Sequence, residues 1–66
     1  MSTDTCHRIY AETFDAHEAL SRQIIKLVGA NKDAHSAAEH AMLDQLIEAR
    51  QALRGALETY QAAINA

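Results

Sequence analysis

Between residues 43 and 64 the chain places Leu43, Leu46, Arg50, Leu53, Leu57, Tyr60 and Ile64 in strict alternation of three and four. Only an α-helix brings such a set onto one stripe, because a strand lines up every second residue. The stripe is apolar except at Arg50, and it has the spacing by which two helices pack along a shared seam. Met42, Ala49, Ala56 and Ala63 widen it on one side and Ile47 on the other. Gly55 falls on the polar side, where it costs about 1 kcal/mol against alanine.

A second amphipathic segment precedes this one. Cys6, Ile9, Tyr10, Phe14, Leu20, Ile24, Ile25, Leu27 and Val28 share one side of a helix about 4–28. Arg8, Glu12, Asp15, Glu18, Arg22 and Lys26 share the other, so the pattern is helical by period and not only by propensity. Thr3, Asp4 or Thr5 can cap its start, because each carries an oxygen that accepts from free backbone N–H groups. Gly29-Ala30-Asn31-Lys32-Asp33 then breaks the pattern, with Gly29 suited to a left-handed C-terminal cap. The next helix has two available starts. Asp33 as N-cap is the favoured one, giving a helix about 34–64. Ser36-Ala37-Ala38-Glu39 is the other, since it matches a capping box.

Two helices of similar length joined by so short a turn fold back antiparallel. The expectation is an all-α chain, a single two-helix hairpin over 1–66, with facing residue numbers that sum to about 65–67 if pairing is centred on the turn. Ile24 is then near Leu43, Tyr10 near Leu57, and His17 near Arg50.

A 66-residue hairpin has little core of its own. Chains below roughly 70–80 residues rarely gain more than ~3–5 kcal/mol from one core, and most add disulfides, a metal or association. Cys6 is the only cysteine, which excludes an internal disulfide and a cysteine-based zinc site. Both apolar arcs span close to half the helix circumference, and a helix with a single neighbour needs less. Phe14, Ile25, Met42 and Ile47, at the arc margins, are therefore expected to be shared with another chain. The partner is a second copy, making a four-helix bundle by homodimerisation, or a helical protein laid into the groove.

Several residues invite a chemical role. His17 lies mid-arc, as a metal ligand, a protonation switch or, more simply, a buried neutral histidine. Arg50 interrupts the seam. It either snorkels, with its stem packed and its guanidinium in solvent, or forms a polar core layer with His17 that specifies register. His7, His35 and His40 lack the spacing of paired helical ligands, and no Glu-x-x-His occurs, so neither metal nor cofactor is expected. Cys6, near a helix N-terminus, has only His7 beside it and reads as a small packing residue. No phosphate loop, hydrolase or kinase motif is present, and an enzyme is not expected.

The net charge of −3 argues against a nucleic-acid binder. Arg22, Lys26 and Lys32 nevertheless form a modest basic cluster toward the turn, which leaves a small nucleic-acid-binding regulator built on a hairpin dimer as the alternative function. No apolar run is long enough for a membrane span, and the first residues lack a basic start and an apolar signal region, so a cytoplasmic location is the default. In shape alone the chain resembles small secretion chaperones that cradle a helical subunit, phage-encoded inhibitors of host proteins, and plasmid RNA-binding hairpin dimers. That likeness implies a non-enzymatic interaction module, such as an adaptor, chaperone or inhibitor. It assigns no role to any residue.

Overall fold

The computed structural model describes residues 3–30 and 36–66. It contains two α-helices, α1 (Thr3–Ala30) and α2 (Ala37–Asn65), packed against each other as a hairpin. The expected all-α hairpin is thus what the chain forms. The body is a rod of 49 × 14 × 14 Å with a radius of gyration of 15.2 Å.

The helix ends differ from the sequence reading in physically instructive ways. Thr3, Asp4 and Thr5 all lie within the first turn of α1, where Asp4 places a negative charge at the positive end of the helix dipole. At the other end the helix runs through Gly29 to Ala30. No described glycine has positive φ, so Gly29 is an ordinary helical residue rather than the expected left-handed cap. Asn31, Lys32 and Asp33 lie outside the described residues. Of the two available starts for α2, the structure uses Ser36. Its backbone is extended (φ −69°, ψ 165°). Its Oγ accepts from the Glu39 N–H at 3.1 Å, and its own N–H donates to Glu39 Oε1 at 3.1 Å. The capping box prevails because it satisfies two backbone donors at once with side chains already in sequence register.

Packing between the helices is antiparallel. Ile9 shares a pocket with Tyr60, and Leu27 shares another with Met42. Those facing numbers sum to 69, slightly above expectation, as an α2 start at Ala37 rather than near 34 would produce. Ile24 and Leu57 are the buried core, each 9 % exposed. Around them Ile9, Tyr10, Leu20, Leu27, Leu43, Leu46, Leu53 and Ile64 are half-buried. Two threonines tie back to their own helix: Thr13 Oγ1 donates to the Ile9 carbonyl at 2.8 Å and Thr59 Oγ1 to the Gly55 carbonyl at 3.1 Å. These bonds satisfy the hydroxyls without reaching across the hairpin.

Local stability can be checked directly. A Cβ added at Gly55 meets nothing within 4 Å, so Gly55→Ala should raise stability by about 0.5–1 kcal/mol through reduced backbone entropy. Ser36→Ala should lower it by about 1 kcal/mol through loss of the cap. Thermal unfolding followed by circular dichroism reads both, and a Ser36→Ala melt matching the wild type would show that the cap is not structural.

Candidate interaction surface

A helix touching one neighbour covers only the residues aimed at that neighbour. Side chains a quarter-turn away stay open on either flank. In this hairpin the consequence is large. Phe14 is 45 % exposed, Ile25 69 %, Val28 50 %, Met42 58 % and Tyr60 36 %. Five large apolar side chains are exposed, against two that are buried.

They do not form one patch. Met42 opens a shallow apolar groove with Leu27, Leu46, Gln23 and Lys26, which continues along α2 over Ala41, Gln45 and Ala49. At the other end of the same flank, Cys6, Ile9, Tyr60 and Ala63 line a second pocket between the helices. Helical stepping from Leu27 and Ile9 puts Phe14 and Ile25 on the opposite flank of α1. The same stepping from Met42 puts Ile47 on the opposite flank of α2. The hairpin therefore has two unlike apolar sides: a grooved one containing Met42, and a projecting one containing Phe14, Ile25 and Ile47. On the projecting side the rings of Tyr10 and Phe14 stack with centroids 6.5 Å apart and planes 21° from parallel, which stiffens an exposed aromatic.

Of the four residues expected at the interface, Phe14, Ile25 and Met42 are exposed and Ile47 is half-buried. The helical period puts Val28 on the inward arc, yet it is half exposed. Periodicity gives the side of a helix a residue occupies, not how far the neighbouring helix extends over it. Tyr60, read as a seam residue, lies at the groove edge for the same reason.

The polar positions are placed as follows. His17 and Arg50 are both half-buried, and among the described residues no hydrogen bond or ion pair joins them to each other or to another side chain. No buried side-chain polar atom is left without a partner among the described residues. His7 donates from Nδ1 to the Thr3 carbonyl at 2.9 Å, a bond within the first turn of α1. Cys6 is a half-buried free thiol. Among the described residues, no three histidine, cysteine or acidic side chains come together as a metal site would need. Arg22 and Lys26 are exposed on one side of α1, with Lys26 also bordering the groove. Lys32 and His35 lie outside the described residues. No helix among the described residues is long and apolar enough to cross a membrane.

Compared with protein-family models, with curated proteins and with solved structures, the chain gives no match.

The seam arginine supplies a test. Arg50 has no partner among the described residues, so Arg50→Met keeps an unbranched apolar stem and removes only the charge. Urea denaturation should show stability unchanged or raised by up to about 1 kcal/mol. A loss of about 2 kcal/mol or more would show that the guanidinium is bound by a group outside the hairpin.

Proposed function

We propose that this chain is a small non-enzymatic interaction module that works by covering its apolar helical faces with another chain. The carrying observation is the inversion of burial: Phe14, Ile25, Val28, Met42 and Tyr60 are exposed while, among the described residues, Ile24 and Leu57 alone are buried. Apolar surface exposed along both flanks in this way marks association sites in proteins that are otherwise water-exposed. The completed structure is a four-helix bundle with a second hairpin, or a three-helix arrangement with an amphipathic helix from an adaptor target, an inhibited protein or a secretion substrate.

Global dimensions support the reading. A compact monomer of 7.3 kDa exposes about 4,200 Å². This chain exposes 4952 Å², so folding buries only about half of the roughly 10,600 Å² of the extended chain, less than the ~60 % usual near this size. The lone thiol suits a reducing, cytoplasmic setting. Binding of nucleic acid through Arg22, Lys26 and Lys32 is the less supported reading, because these cations sit on a chain of net charge −3.

Sedimentation of the purified protein, alone and with whatever co-purifies, tests the proposal. The expected species is heavier than 7.3 kDa. Phe14→Asp and Ile47→Asp should each weaken association about a hundred-fold, the size of effect seen when a central apolar anchor is lost. A 7.3 kDa species in every preparation, with the helices intact by circular dichroism, removes the proposal.

A further inference from the structure

We propose that the partner on the projecting side is a second copy of this chain, laid antiparallel about a twofold axis, with Glu18 of each copy paired to Arg22 of the other. The proposal rests on the interaction-module reading and commits it to one partner and one face.

Area is the first argument. The hairpin exposes roughly 800 Å² more than a compact monomer of its mass. A standard interface removes about 800 Å² from each partner. One copy of the chain therefore carries as much surplus surface as one side of a stable dimer covers.

Self-complementarity selects the face. In a twofold interface the same patch serves both copies, so each feature must meet its own counterpart across the axis. Phe14 and Ile25 lie on one line along α1, three turns or about 16 Å apart. When two α1 helices are stacked antiparallel with the axis midway between these residues, Phe14 of each copy meets Ile25 of the other. Ile47 projects from α2 on the same side at a level between them, filling the middle of the contact. The grooved flank also carries an exposed pair on one helix, Met42 and Tyr60 of α2, but these stand five turns or about 27 Å apart with only Ala49 and Ala56 between them.

Charge gives the third argument. Glu18 and Arg22 stand symmetrically about almost the same midpoint as Phe14 and Ile25. The antiparallel stacking that joins the apolar pair therefore sets Glu18 of each copy opposite Arg22 of the other, in two pairs on either side of the twofold axis along the outer edge of the contact. Both side chains are exposed. They are four residues apart on one helix, yet no ion pair forms between them in the hairpin. Arg54 and Glu58, with the same separation, do approach to 4.0 Å. Stacking with both turns at one end would face α1 against α2 of the other copy and leave Glu18 and Arg22 of different copies on helices that do not meet.

The test uses charge reversal on the full chain. Glu18→Arg alone and Arg22→Glu alone each set like charges together in both pairs. Each should raise the dimer dissociation constant at least ~10-fold. Mixed in equal amounts, the two variants present opposite charges in both pairs and should regain wild-type affinity as a heterodimer, read by sedimentation equilibrium at twice 7.3 kDa. Circular dichroism controls for helix content. As a second readout, Ile25→Asp should dissociate the dimer while Met42→Asp, on the grooved side, leaves its mass unchanged. Association that ignores both charge reversals, or a mixture no tighter than the separate variants, overturns the proposal while leaving the interaction module standing. The same holds for a 7.3 kDa wild-type chain that associates only with a different protein. Absence of association in any preparation removes both.

Discussion

One helix can cover only one stripe of another, and the remaining features of this hairpin follow from that geometric limit. Two helices of nearly equal length meet along a single line, so only side chains aimed straight across, Ile24 and Leu57, become buried. Residues a quarter-turn away receive no cover, however apolar they are. In larger domains a third or fourth helix closes those flanks. Here Phe14, Ile25, Val28 and Met42 are left open by the architecture, not by any weakness of helix formation. A core of this size supplies little stability, and burial of the flanks by another chain adds to it directly.

The polar residues fit the same frame. Arg50 interrupts an otherwise apolar seam and His17 sits mid-arc on the facing helix, yet neither is fully buried and neither holds a partner among the described residues. In a wider bundle an unpaired arginine at such a position would be costly. In a two-helix rod Arg50 is only half-buried, so the cost is smaller. A seam polar residue acquires structural meaning only when a further chain closes over it, which ties its role to the association state.

The two flanks are chemically unlike. Alanines on α2 leave a shallow groove beside Met42, whereas α1 projects Phe14 and Ile25 on the other side with a stacked Tyr10 behind them. A hairpin with a grooved face and a projecting face can be occupied on both. The charges follow the projecting side: Glu18 and Arg22 border it without pairing internally, while Arg54 and Glu58 already approach each other.

By itself the sequence determined that the chain is two amphipathic helices, which residues share each face, and that Met42 and Ile47 flank opposite sides of the seam. These are consequences of helical period, which is local and needs no knowledge of the partner. It left the start of α2 between Asp33 and Ser36, because both chemistries cap; the structure uses Ser36, whose box satisfies two donors. It placed a left-handed cap at Gly29, but the helix continues there because glycine permits that conformation without requiring it. Only the tertiary structure decided how much of each arc is covered, why Val28 and Tyr60 remain open, and that Phe14, Ile25 and Ile47 gather on one side while Met42 lies on the other. Coverage depends on the width and register of the neighbouring helix, a non-local quantity that no periodicity within one helix contains.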